Sequence, residues 1–320
     1  MPNKTITKFS AFVIFIAFAC AVSSACHQAS SNGRANMNTD YSKSPFEAPK
    51  VVGTIESKEI NESSGIAVSK CQADVLWTHN DSEGGDFFFA INTKGEKLGT
   101  WKIAGAKTVD LEDIAAFKTK EGDCFIYIGD IGNNSQKRGE LTIFRVKEPE
   151  VSKADASSSK KEPLDSGAVE TLNFSYPDFR HDAETLLVHP SSGDIYVLTK
   201  RITGASGVYK IKPNFGTRNE IQAEKIADLG VPSIPNGFLT GGDISANGRH
   251  VIVCDYFAAY ELDLPSDAED FDAIWKAVPT RVDLGSREQG EAVSYGNDDN
   301  TVYATSEKRN SPVIRLERRK

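Results

Sequence analysis

The stretch Glu62–Val68, with the sequence ESSGIAV, begins a pattern that returns four times along the chain. The later copies are Asp110–Ala116 (DLEDIAA), Asp182–Val188 (DAETLLV), Thr240–Ala246 (TGGDISA) and Gln289–Tyr295 (QGEAVSY). Each copy runs from small or acidic residues into a short apolar run, and further β-rich runs separated by turn residues follow it. Four antiparallel strands repeated radially form a β-propeller. The sequence therefore predicts an all-β fold, a five-bladed β-propeller.

The gaps between copies leave two alternatives to this fold. The longest gap, between the second and third copies, contains a Ser- and Lys-rich stretch over 152–167 that is typical of an exposed, mobile insertion. If that gap holds a degenerate blade, the propeller has six blades. An unclosed β-sandwich is the other alternative. A later gap contains DFDAIWKA, for which we expect one helix with Ser266 and Glu269 as its capping box.

The ends of the repeated region predict how the ring closes. The fifth copy stops after its third strand, VIRLE, and has no fourth. Val51–Glu56 (VVGTIE) precedes the first copy and has no blade of its own. We therefore expect Val51–Glu56 to pair beside Val313–Glu317, so that the last blade is closed by the N-terminal strand.

The first residues have the layout of an export signal. Lys4 and Lys8 precede an apolar run, Phe9–Val22, and small residues then lead to Cys26. We expect a signal peptide over 1–25, a flexible tether over 26–49 and the propeller over 50–320. A membrane anchor helix is the less favoured alternative, because the apolar run is short for a hydrocarbon core of about 30 Å.

Cys26 follows three small residues and resembles the lipobox cysteine of bacterial lipoproteins, which implies cleavage before it and lipid on its sulfur. Cys20 is a weaker second candidate, and plain secretion is the other alternative. We expect an exported cell-envelope lipoprotein, periplasmic or on the surface, or a secreted protein. A lipid anchor would be its one attachment to the membrane.

The overall charge limits the partners. The chain has 37 Lys and Arg against 45 Asp and Glu, a formal net charge of −8. Nonspecific nucleic-acid binding needs clustered cations, so we expect no nucleic-acid partner. We expect a monomer that binds a small-molecule or protein ligand.

Three cysteines lie in the propeller region. Cys71 and Cys124 occupy comparable hairpins between the first and second strands of consecutive blades. A disulfide between them is geometrically feasible if their Cα atoms come within about 7 Å, and it would tie two blades together. Cys254 lies within a strand and is expected to be a buried, small apolar residue. No two of the three have the spacing of zinc ligands.

Acidic residues mark the start of the first strand in the copies: Glu62, Asp110, Glu112, Asp113, Asp182, Glu184, Asp243 and Glu291. In a propeller the first strands line the central channel, so these carboxylates would converge near one channel mouth. Ca²⁺ accepts six to eight oxygen ligands and suits such a cluster. The candidate metal ligands are Glu62, Glu112, Glu184, Asp243 and Glu291. The alternatives are that these acids bond backbone N–H groups at inter-blade turns, or that a pair of them acts as general acid and base.

The ends of the second strands lie on the same face and are also polar. They supply the candidate ligand-binding residues His79, Asp81, Asp130, Lys200, Arg201, Asp255 and Glu307. Lys200 and Arg201 suit a carboxylate or phosphate ligand, or they neutralise neighbouring acids. The chain contains no G-x-S-x-G or H-E-x-x-H motif, so no catalytic residue is assigned.

The runs ESSGIAV, LWTHNDS, VDLEDIA, IYIGDIGNN and QGEAVSY together resemble secreted bacterial propellers of the SdiA-regulated and esterase-like phytase type. Those groups resemble strictosidine-synthase and lactonase propellers, which carry a metal in the channel. The resemblance implies that Glu112, Glu184, Asp243 and Glu291 are the acidic channel positions.

Three functions follow from these patterns. The first is an exported, lipid-anchored propeller that binds a ligand or partner at an acidic, calcium-binding channel mouth. The second is a metal-dependent hydrolase of an ester, lactone or phosphoester. The third is a structural or adhesive component of the envelope.

Overall fold

The computed structural model describes residues 44–81, 84–216 and 220–320. These residues form five small sheets whose innermost strands surround one axis, which confirms the predicted five-bladed β-propeller. The expected signal peptide, the first part of the tether and Cys26 lie outside the described residues. No helix within these described ranges is long and apolar enough to cross a membrane.

The first two blades are built outward from the axis. The chain enters through β1 (Lys50–Ile55), and blade 1 then consists of β2 (Ser63–Val68), β3 (Leu76–Asn80), β4 (Phe87–Ile91) and β5 (Lys97–Lys102). Blade 2 begins with β6 (Leu111–Lys118), β7 (Cys124–Asp130) and β8 (Leu141–Lys147). A 3₁₀ helix (Lys153–Ser157) and β9 (Leu164–Asp165) follow, and β10 (Val169–Ser175) completes blade 2.

The remaining blades follow the same order. Blade 3 contains β11 (Ala183–Val188), β12 (Ile195–Thr199) and β13 (Ser206–Ile211); β14 (Ile221–Gln222) then precedes its fourth strand, β15 (Glu224–Leu229). Blade 4 contains β16 (Gly241–Ile244), β17 (His250–Cys254) and β18 (Ala259–Asp263), then a 3₁₀ helix (Phe271–Lys276) and β19 (Thr280–Val282). Blade 5 contains β20 (Ala292–Tyr295), β21 (Thr301–Thr305) and β22 (Ser311–Glu317).

Burial explains why the first strands are apolar or small on both faces. β2, β11, β16 and β20 are buried along their whole length. Each first strand contacts the first strand of the next blade, and β20 contacts β2, so the ring is closed. The buried apolar side chains of the described residues form five clusters, one between each pair of neighbouring blades. The core therefore lies between the blades rather than within a single sheet.

Closure by the N-terminal strand is confirmed. β1 pairs antiparallel with β22, with Val51 opposite Ile314 and Ile55 opposite Ser311. The amide of Thr54 also donates to the carbonyl oxygen of Lys94 in the β4–β5 turn, at 3.0 Å. A Cβ on Gly53 would clash with the backbone of Lys94, so only glycine allows this approach. β1 thus completes blade 5 and is held against blade 1.

The 152–167 insertion is bonded to blade 1, and it is not a sixth blade. Most of its side chains are exposed, but β9 pairs in parallel with β5 at the outer edge of blade 1. The buried Ser158 accepts a hydrogen bond from the amide of Thr100 at 2.8 Å, and the amide of Lys160 donates to Glu59. The serines and lysines act here as local hydrogen-bonding groups that fasten the segment.

The expected helix in blade 4 forms as the 3₁₀ helix Phe271–Lys276, but its cap differs from the prediction. Asp270, rather than Ser266, is the N-cap residue, and its carboxylate accepts a hydrogen bond from the amide of Ala273 at 3.2 Å. An aspartate directly before the first helical residue satisfies an orphan amide without needing the longer capping box.

Cys71 and Cys124 form a disulfide with their Cα atoms 6.2 Å apart. The bridge joins the turn after β2 to the start of β7, and so ties blade 1 to blade 2. Cys254 is free and buried, and burial raises the pKa of its thiol to about 11. That thiol therefore stays protonated and unreactive at neutral pH.

We expect Cys71→Ser to lower the free energy of unfolding by about 4 kcal/mol, because the bridge closes a loop of 53 residues. Reversible urea unfolding measures the change. Reductant should lower the free energy of unfolding of the wild type by the same amount. The free energy of unfolding of the variant should not change in reductant. Equal stability of variant and oxidised wild type would contradict the prediction.

Candidate cation and ligand site

Bulges at the start of the first strands aim polar side chains into the channel. The register of β2, β6 and β11 shifts near the first residue of each strand. The residues skipped by the pairing are Ser64, Glu112 and Glu184, and a bulge of this kind re-aims the side chain it carries. Glu291 stands at the equivalent position in blade 5, directly before β20, and Gly242 stands there in blade 4.

Three carboxylates meet at the end of the channel where the first strands begin, which we call the upper mouth. Oxygens of Asp81, Asp110 and Glu112 lie within 4.8 Å of one another. Glu112 is only 3% exposed. Gly132, in the loop after β7, passes so close that a Cβ there would clash with the carboxylates of Asp110 and Glu112. The backbone can cover this carboxylate cluster because residue 132 is a glycine.

Burial and electrostatic repulsion both act on Glu112 in the carboxylate cluster. Burial raises the pKa of Glu112 well above its ordinary value, and the neighbouring charges of Glu184, Asp81 and Asp110 raise it further. Such a group is protonated unless a cation shares the site. The donors are all oxygens, as Ca²⁺ prefers, and their number leaves room for backbone carbonyls and water to complete its coordination. Asp81, Asp110 and Glu112 therefore form a group of oxygen ligands that could hold a metal ion.

Glu184 lies beside this cluster and is paired with a lysine. Lys200 Nζ is 2.5 Å from Glu184 Oε1. Burial raises the pKa of Glu184 to about 8, although Lys200 opposes the shift. The ammonium also lies 4.6 Å from the ring centroid of Phe238 and 5.3 Å from that of Tyr256. The two rings hold Lys200 by cation–π contact and fix one side of the upper mouth.

Glu291 and Glu307 form a carboxyl pair on the opposite side of the upper mouth. Their side chains are hydrogen-bonded to each other, and burial together with Glu291 raises the pKa of Glu307 to about 8. Gln289 Nε2 donates to Glu291 Oε1 at 2.9 Å, and Ser64 Oγ donates to its Oε2 at 3.2 Å. At neutral pH Glu307 therefore carries the proton and donates it toward Glu291.

Asp243, a candidate metal ligand, has a different environment from these glutamates. It stands one residue later in the repeat, at the position of Asp113 in blade 2. Its Oδ2 accepts hydrogen bonds from Ser294 Oγ at 2.8 Å and from the amide of Tyr295 at 3.0 Å. Asp113 likewise accepts from the amide of Leu186 at 2.8 Å. Both aspartates thus join one blade to the next. This agrees with the alternative prediction that the acidic residues accept hydrogen bonds from backbone N–H groups between blades.

Two of the candidate ligand-binding aspartates stabilise local turns. Asp130 accepts hydrogen bonds from the amides of Val109 and Asp110 and forms an ion pair with Arg138 at 2.7 Å. Asp255 accepts two amide hydrogen bonds and one tyrosine hydroxyl within its own hairpin. These contacts give both carboxylates a role in the fold, and their role in ligand binding stays a prediction.

His79, a candidate ligand-binding residue, is fully buried within blade 1. Its Nδ1 lies 2.9 Å from the carbonyl oxygen of Asn80, to which it donates. Burial lowers the pKa of His79, so the ring is neutral at pH 7. Its Nε2 is buried with no hydrogen-bond partner among the described residues, and a role of His79 in ligand binding stays a prediction.

The remaining candidates lie around the upper mouth. The backbone of Glu62 bridges to Glu307, and its carbonyl oxygen accepts from the amide of Asp81. Arg201 Nε donates to the carbonyl oxygen of Thr203 at 3.3 Å. A pocket of about 700 Å³ opens beside Lys200 and Arg201. Lys200 and Arg201 thus line a space that a ligand can enter.

The repeat predicts Glu112 as a metal ligand but does not indicate two residues that complete its surroundings. Asp110 lies two residues before Glu112 and does not share the repeat position of Glu112, Glu184 and Glu291. Gly132 carried no signal, because a glycine in a Gly- and Asn-rich loop is typical of any turn. Only the three-dimensional packing shows that this glycine covers the cluster.

No protein-family model matches the chain, and no curated protein matches it in sequence.

Proposed function

We propose that this protein is an exported, lipid-anchored β-propeller that binds a ligand at the upper mouth, with Ca²⁺ held by Asp81, Asp110 and Glu112. The observation that carries the proposal is the approach of these three carboxylates to within 4.8 Å of one another beneath a glycine. Ca²⁺ would neutralise charges whose mutual repulsion otherwise destabilises the fold. The blade motifs that resemble metal-carrying secreted propellers agree with this role.

The loops of the same face support binding of a ligand or protein partner. Large apolar side chains are exposed on these loops: Val109, Phe179, Ile202, Ile234 and Phe257. Phe179 and Ile202, each 76% exposed, line the 700 Å³ pocket together with Lys200 and Arg201. Exposed apolar groups gathered beside charged ones are typical of an interaction site. The ligand we propose is therefore one with both apolar and charged groups.

Calcium should stabilise the wild-type protein against heat, and Glu112→Gln should abolish the effect because it removes a buried anionic ligand. At free calcium of about 100 times the dissociation constant, the gain should be roughly 2.7 kcal/mol. Thermal unfolding in calcium and in chelator measures it. Glu121→Gln, on an exposed hairpin, is the matched control and should respond like the wild type. Identical wild-type melting curves in calcium and chelator would refute the calcium site.

The lipid anchor is tested at Cys26. We expect Cys26→Ser to move the protein from the membrane fraction to the soluble fraction, because the acylated sulfur is lost. Cys20→Ser is the matched control and should remain with the membrane. Fractionation with metabolic labelling by a fatty-acid analogue reports both results. Retention and labelling of the Cys26→Ser variant would show that the anchor lies elsewhere.

The Glu291–Glu307 pair favours a second candidate function, a metal-dependent hydrolase of an ester, lactone or phosphoester. Glu307 is protonated at neutral pH and is coupled electrostatically to Asp81 of the carboxylate cluster. A protonated carboxyl near a metal ion can serve as general acid to a leaving group while the metal polarises the scissile group.

If this second function holds, calcium-dependent turnover should appear in a panel of p-nitrophenyl esters, lactones and phosphoesters. The rate should fall as pH rises through about 8, because Glu307 then loses its proton. Glu307→Gln should reduce the rate by roughly 10²-fold or more, whereas the exposed Glu288→Gln should not. Lack of turnover by the calcium-loaded wild type across the panel would exclude this candidate for these substrate classes.

A further inference from the structure

The opposite end of the channel, which we call the lower mouth, contains a cavity of about 400 Å³. All five blades contribute to its lining. Lys70 follows β2, Ala116 lies near the end of β6, and Val188 ends β11; Ile244 ends β16, and Asn297 follows β20. The cavity is therefore centred on the propeller axis, and its volume is within the range of small-molecule sites, about 300–1,000 Å³.

The charged residues that line this cavity are all cationic, although the chain as a whole is acidic. Lys70, Lys118 and Lys120 line it, and no Asp or Glu is among the described residues around it. Asp243 lies one residue before Ile244 and interacts electrostatically with Lys70. No carboxylate in the described parts of the chain comes within ion-pair distance of the Lys70 ammonium.

Two hydrogen-bond donors in the lining are left unsatisfied. Lys70 Nζ and Thr119 Oγ1 are both buried, and neither has a hydrogen-bond partner in the part of the chain that the structure describes. A buried ammonium without a partner is costly, and a group that offers only acceptor atoms removes the cost. A carboxylate is such a group, because an ionised carboxylate has acceptor atoms only.

The apolar residues of the cavity indicate which chemical group the bound carboxylate carries. Apolar groups surround the donors: Ala116, Phe117, Val188, Pro190, Ile244 and Ala246. Apolar walls favour a ligand that has an aliphatic or aromatic part. A small ion without such a part would have few favourable contacts with them. We infer that the lower mouth is a second binding site, for a small organic carboxylate with an apolar body. Its ammonium contact is Lys70.

The test compares 2-naphthoate with 2-naphthamide, a neutral analogue of nearly the same shape, by calorimetric titration of the purified protein. The carboxylate should bind with one-to-one stoichiometry, and the amide roughly tenfold more weakly, because only the carboxylate carries a negative charge opposite the Lys70 ammonium. Lys70→Met should lower the affinity for 2-naphthoate by a similar factor. The exposed Lys107→Met, outside the cavity, should leave its affinity unchanged.

A second variant tests the position of the site and leaves the charged residues of the cavity unchanged. Ala246 is exposed at the cavity wall, so Ala246→Trp should fold and should obstruct the apolar body, weakening 2-naphthoate at least tenfold. Circular dichroism verifies the fold of each variant. The inference is overturned if the wild type shows no saturable binding, if the amide binds as well as the carboxylate, or if Lys70→Met or Ala246→Trp binds with wild-type affinity. Because calcium is left out, the outcome is independent of the proposed calcium site.

Discussion

The pairing of β1 with β22 closes the ring, and the other features of this protein depend on that closure. Five first strands can surround one axis only if the first and last blades are joined, and β1 joins them by bonding to β22 and to the β4–β5 turn. Closure fixes the distances between loops that are far apart in sequence. Glu112 of blade 2 and Glu184 of blade 3 therefore remain close despite their mutual repulsion.

The closed channel gives its two ends opposite electrostatic characters. Carboxylates collect at the upper mouth because bulges in β6 and β11 re-aim Glu112 and Glu184. At the lower mouth Lys70 and its neighbouring lysines line an otherwise apolar cavity. Between the two ends, Asp113 and Asp243 accept backbone amides and hold the blades together. The same wall thus carries carboxylates that join the blades next to the carboxylates of the upper mouth.

The fold could be predicted from the sequence because each blade repeats one apolar pattern and the leftover strand Val51–Glu56 had one place to pair. The equivalence of Glu112, Glu184 and Glu291 could also be read from the repeat. The sequence did not show that Asp243 differs from these glutamates. Asp243 stands one repeat position later, and a shift of one residue turns a side chain to the opposite face of a strand. The carboxyl pair of Glu291 and Glu307 depends on distances that no linear pattern contains.

Short parallel strands cover the outer edges of blades 1 and 2. The outer edge of β5 is bonded to the two-residue strand β9, and that of β10 to the two-residue strand β14. Both short strands run parallel to their partners and are contributed by the segment of the following blade. They occupy backbone groups to which a strand from another molecule could otherwise add. Blades 1 and 2 are thereby shielded from edge-to-edge association at high local concentration.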